Sequence, residues 1–100
     1  MRAMIMEGIG QLNYREVDRP VPEPGGILVK VDTCALCATD IKLLTYGHDA
    51  ITYPHVLGHE IAGVVEEVTP GVKDLKPGDR VALAPTLPCF SCWLCSQGAY

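Results

Sequence analysis

The sequence predicts a small, mainly β barrel with one or two short helices and a cysteine-rich lobe. Three observations carry this: short apolar runs broken by Pro-Gly pairs, a single good helix candidate, and three cysteines at a spacing of three near the C-terminal end. At 100 residues the chain makes one modest domain, and 48 % hydrophobic residues supply a core.

The elements follow in order. Ala3 to Met6 is an apolar stretch, followed by a polar one. Pro20, Pro22 and Pro24 then space an extended connector ending at Gly25-Gly26. Ile27, Val29, Val31 and Thr33 alternate with Lys30 and Asp32, the pattern of a half-buried strand. Leu36 to Tyr46 reads as a helix, capped by Thr39 or Asp40 and stopped by Gly47. Residues Glu60 to Val68 are apolar on both faces, which predicts a central strand. Pro70-Gly71 and Pro77-Gly78 make turns around Val72 to Lys76, and Arg80 to Ala84 reads as a further strand.

Composition excludes several classes. Eight Lys and Arg against twelve Asp and Glu give a net charge of −4, so there is no basic face for nucleic acid or anionic lipid. No apolar run reaches the ~18 residues of a membrane span. The N-terminus meets Glu7 too soon for a signal peptide, and a cytoplasmic protein is expected. No G-x-G-x-x-G follows a strand, so the Rossmann mode of dinucleotide binding is not expected within these residues.

Two groups of residues carry chemistry. Cys37, His59 and Glu60 supply thiolate, imidazole and carboxylate, the three ligand types of zinc, and three protein ligands leave a position open for substrate. Spacing alone also fits a polar turn beside a small buried thiol. Cys89, Cys92 and Cys95 form the second group, too dense for packing residues. A bacterial-type iron–sulfur run needs a cysteine at position 99, which is Ala99. Cys34 and Cys37 form a C-x-x-C without the βαβ setting of a redox pair, so Cys34 reads as a buried thiol without a role. His48 and His55 read as loop residues, with His48 close enough in sequence to border a substrate cleft.

The wording around these residues resembles the N-terminal, GroES-like catalytic domain of zinc-dependent medium-chain alcohol and polyol dehydrogenases. The match runs through Cys37-Ala38-Thr39-Asp40, Gly58-His59-Glu60 with Gly63 (the G-H-E-x-x-G signature), Lys76 to Val81, and the cysteine trio. The resemblance implies a catalytic zinc held by Cys37 and His59, with Glu60 as a further ligand or a neighbour that swaps in. It implies Asp40 as the partner of the other His59 ring nitrogen, and Thr39 as the group that holds the substrate hydroxyl and starts the proton path. Cys89, Cys92 and Cys95 would hold a structural zinc, whose fourth cysteine would fall past Tyr100. NAD or NADP would bind on a separate Rossmann domain, and the full-length enzyme would be a homo-oligomer acting on a small alcohol or polyol. On this reading residues 1–100 are the N-terminal piece of a longer enzyme, inactive alone. The sequence departs from the family at Ala35 and Ala38, where Gly is common, and at Lys42, where many members carry a relay His. A Lys with a pKa near ~10.4 does not relay protons at neutral pH as His does. The competing class is a metal-binding or iron–sulfur electron-transfer module that works without a partner domain.

Overall fold

Two three-stranded antiparallel sheets and two short helices make up the computed structural model, which describes residues 1–99. Strands β1 (Arg2–Gly8) and β2 (Gln11–Glu16) form a hairpin whose turn uses Gly10 at φ 71°. Every residue of β2 is exposed, so no apolar alternation marks it, and the sequence showed only a polar stretch. Its side chains are tied to β1 instead, with Asn13 Nδ2 donating to Glu7 at 2.6 Å and Arg15 paired with Glu7 at 2.6 Å.

The connector with its three prolines is pinned rather than loose. Thr69 Oγ1 donates to the Glu23 and Gly26 carbonyls at 3.0 and 2.8 Å, and Arg19 bridges Glu66 and Glu67 at 3.1 and 2.5 Å. It leads into β3 (Ile27–Ala35), followed by helix α1 (Ala38–Tyr46) and the two-residue β4 (His55–Val56) that closes on β1. Strand β5 (Glu60–Val68) lies between β3 and β6 (Arg80–Ala82), so the expected central strand is central. The regular alternation expected of β3 is broken by two register shifts, and Val31 is left half exposed. The short helix α2 (Trp93–Ser96) sits in the cysteine-rich segment.

The expected barrel does not close among the described residues: sheets β2-β1-β4 and β3-β5-β6 share no ladder. β4 and β6 have two and three residues, too few to carry hydrogen bonding around a cylinder. The apolar core is correspondingly thin, with Ile5, Met6 and Val65 its buried members among the described residues. No helix among the described residues is long and apolar enough to cross a membrane.

Gly63 shows how tightly β3 and β5 meet. A Cβ there would lie 2.2 Å from the Lys30 carbonyl oxygen, a backbone atom that yields only if the strands part. Gly63→Ala is therefore expected to lower the unfolding free energy by about 2–3 kcal/mol, the upper part of the range for overpacking. Urea denaturation checks it, and an unchanged midpoint would contradict the packing.

Candidate metal centre

Helix α1 begins at the first group of site residues. The cap is Cys37, not Thr39 or Asp40: its Sγ accepts the Thr39 N–H at 3.5 Å, and Asp40 Oδ2 accepts the Cys37 N–H at 2.9 Å. This is a capping box with a thiol in the place of the usual hydroxyl and Asp40 at the third helical position. The positive end of the helix dipole thus faces the sulfur.

Across from the helix start, Gly58 bends the chain so that His59 and Glu60 leave it side by side. Its φ of 106° belongs to glycine, and a Cβ there would lie 2.6 Å from Cys34 Sγ. Cys34 is exposed, contrary to the buried thiol expected, because the end of β3 that carries it is uncovered. Glu60 opens β5 opposite Ala35. Ligand atoms of Cys37, His59 and Glu60 all come within 4.8 Å of one another.

Asp40 is the one buried charged residue among those described, at 4 % exposure. Its Oδ1 is sealed from solvent and makes no aligned hydrogen bond, but it faces His59 Nδ1 at 3.3 Å. That contact directs the other ring nitrogen away from Asp40. Two carboxylates, a thiol and an imidazole with one oxygen left unsatisfied form a donor set that suits a divalent cation. Asp40→Asn would keep an oxygen toward Cys37 N–H only by turning its NH2 onto the His59 ring N–H. It is expected to weaken zinc affinity here about 10–100-fold. Competition with a chelating dye measures this, and an unaltered affinity would remove Asp40 from the site.

A cavity of about 360 Å³ opens beside these residues. Thr39, Asp40 and His59 are among its polar lining, and Leu43, Ile51, Val56 and Leu57 supply apolar wall. His48 lines it, as its place in the sequence suggests, and so does His55, which reads in sequence as a plain loop residue. A signal was available for His55, which stands three residues ahead of Gly58 in the segment leading into Gly58-His59-Glu60. Lys42 is exposed on α1 and does not line the cavity.

The second group gathers in the C-terminal lobe. Cys89 and Cys95 Sγ atoms lie 3.8 Å apart, and those of Cys92 and Cys95 lie 3.5 Å apart. Tetrahedral zinc with Zn–S bonds of about 2.3 Å sets sulfurs about 3.8 Å apart, so the spacing fits. Hydrogen bonding from the Ser91 backbone, then the Cys92 and Ser91 side chains, lowers the Cys89 thiol from 9.0 to about 6. It therefore holds the thiolate, the form that binds metal, at neutral pH.

Residues 23–100 match the model of the alcohol dehydrogenase GroES-like domain. Sorbitol dehydrogenase of Bombyx mori is 40 % identical over 101 residues, covering 98 % of this chain and 29 % of that protein. A cobalt- and zinc-bound thermostable alcohol dehydrogenase from Pyrobaculum aerophilum superposes with a TM-score of 0.87 at 35 % identity, over 99 % of this chain and 31 % of that one. An alcohol dehydrogenase of E. coli CFT073 complexed with NADH gives a TM-score of 0.84 at 34 % identity, over 99 % and 28 %. The chain thus spans less than a third of the length of these relatives. Fold, signature residues and similarity agree: the chain belongs to the alcohol dehydrogenase GroES-like domain family.

Proposed function

We propose that this chain is the metal-bearing N-terminal domain of a zinc-dependent oxidoreductase that passes hydride between a small alcohol or polyol and NAD or NADP. The observation that carries the reading is the gathering of Cys37, His59 and Glu60 within 4.8 Å at the edge of a cavity lined by Thr39. The sorbitol dehydrogenase and alcohol dehydrogenase relatives support the reaction class, and the NADH-complexed relative supports the cofactor. The nicotinamide would be held by a Rossmann domain outside residues 1–100, and a homo-oligomer is the assembly we propose. Cysteines that are free and grouped as ligand sets suit a reducing compartment, so we place the enzyme in the cytoplasm.

Cys37, His59 and Glu60 would hold the catalytic zinc, and Cys89, Cys92 and Cys95 three corners of a structural one. When bound, zinc supplies Lewis-acid polarisation of a substrate oxygen, and the nicotinamide supplies the hydride acceptor. The remaining work belongs to side chains of this domain. Asp40 keeps the His59 ring in one orientation through the 3.3 Å contact. Thr39 Oγ1 accepts the hydrogen of the substrate hydroxyl and hands the proton toward solvent at the cavity mouth. The apolar wall of Leu43, Ile51, Val56 and Leu57 holds the carbon skeleton and keeps bulk water from the reacting carbon.

Metal analysis of the dialysed full-length protein, paired with turnover assays on NAD and NADP, tests the proposal. About two zinc ions per chain and alcohol-dependent reduction of either cofactor are expected. Iron with inorganic sulfide, or zinc without any alcohol oxidation, would overturn it.

A further inference from the structure

We infer that His48 is a specificity-determining residue, donating a hydrogen bond from Nε2 to a hydroxyl that lies away from the reacting carbon of an uncharged, polyhydroxylated substrate. This rests on the dehydrogenase reading above and narrows it.

The ring of His48 is held by its own turn. Ala50 N–H donates to His48 Nδ1 at 3.1 Å, so that nitrogen carries no proton. A neutral imidazole with an accepting Nδ1 carries its hydrogen on Nε2, and His48 is thereby fixed as a donor. The ring stands just past Gly47, where α1 stops at φ 70°. A Cβ on Gly47 would press within 3.0 Å of the Ile9 side chain and 3.1 Å of the Tyr53 hydroxyl, so the backbone there is closely packed.

His48 lines the same cavity as Thr39 and His59. Thr39 is taken by the reacting hydroxyl, while His59 and Asp40 are engaged with each other. His48 and His55 are the polar side chains of the cavity left over, and His48 is the one whose tautomer is set. Among the described residues no Lys or Arg lines this cavity. It therefore offers no fixed positive charge to neutralise a carboxylate or a phosphate ester. A neutral donor beyond an apolar wall suits a second hydroxyl instead, and a site built to bind a hydroxyl discriminates against the analogue that lacks it.

The test uses the full-length, zinc-loaded enzyme with sorbitol and 1-pentanol as probes. His48→Ala is expected to lower the kcat/KM preference for sorbitol over 1-pentanol about tenfold, mostly through KM, the effect of losing one substrate hydrogen bond. His48→Gln, which puts an amide N–H near the position of Nε2, is expected to restore most of the preference. An equal loss on both alcohols, or no rescue by Gln, would overturn the assignment, because a merely structural role moves both substrates together. A second readout separates this inference from the reaction itself. Sorbitol, and not 1-pentanol, is expected to shift the His48 ring nitrogen resonances of the full-length protein. That shift in a protein without turnover would sink the dehydrogenase reading and keep the contact; its absence would sink the contact.

Discussion

Replacing His59 with Ala in the full-length enzyme is expected to cut turnover by at least about 10³-fold, roughly 4 kcal/mol of barrier. The fold should survive. His59 is partly exposed in the segment just before β5 and belongs to neither the apolar core nor a ladder. Two losses combine in this one variant. The ligand set shrinks from three groups to two, and Asp40 Oδ1 loses the imidazole that faces it at 3.3 Å. A buried carboxylate without its partner draws water into the vacated space, and water does not replace the lost imidazole ligand. Zinc content measured beside steady-state rates decides the matter. Normal turnover in His59→Ala with an unchanged zinc count would remove this residue from the reaction.

Cys92→Ser is expected to act differently, on the integrity of the lobe. Among residues 84–99 none is buried, and Leu87, Phe90 and Trp93 are each more than 70 % exposed. Helix α2 has four residues and no side-chain cap, and the local hydrogen bonds of residues 92–99, such as Ser96 Oγ to the Trp93 carbonyl at 2.7 Å, are too few to hold the whole segment in shape without packing. A metal bound across the three sulfurs is the term able to do so, since binding energy at such a site is folding energy. The expected result is the loss of about one zinc per chain and at least about tenfold faster proteolysis within residues 86–98. Lost turnover with zinc content and protease resistance intact would count against the assignment.

Some of these features were legible in the sequence because one residue type suffices to mark them. The run from Glu60 to Val68 reads as apolar on both faces, a pattern that predicts a strand with neighbours on both edges, and β5 does lie between β3 and β6. The cysteine trio and Gly58-His59-Glu60 were equally plain, since thiols at a spacing of three have few other uses. Strand β2 was not legible. Its partners lie across the hairpin and through side-chain pairs to Glu7, and an edge strand exposed along its length has no periodicity to detect. The open sheets were hidden for a related reason, because closure depends on the length of β4 and β6 and not on their composition. The role of Cys37 as the cap was not legible, because thiols are uncommon at that position and cap preferences point to Thr39 or Asp40. His48 and His55 join the cavity through folding of the segment after α1; the place of His48 just past the helix hints at this, and for His55 the one signal is its position three residues ahead of Gly58.

The double use of Cys37 limits what that position accepts. A residue there must end its side chain in an acceptor for the Thr39 N–H and, if a cation is held beside His59 as we propose, must also serve as its ligand. Ser and Thr meet the first demand but are poor ligands, whereas His meets the second and caps badly. Asp satisfies both. It does so by replacing a soft sulfur with a hard oxygen, which moves the preference of the centre away from zinc and toward magnesium or manganese. The start of one short helix thus couples backbone geometry to the identity of the metal, and an Asp at this position would trade one metal chemistry for another while leaving the helix in place.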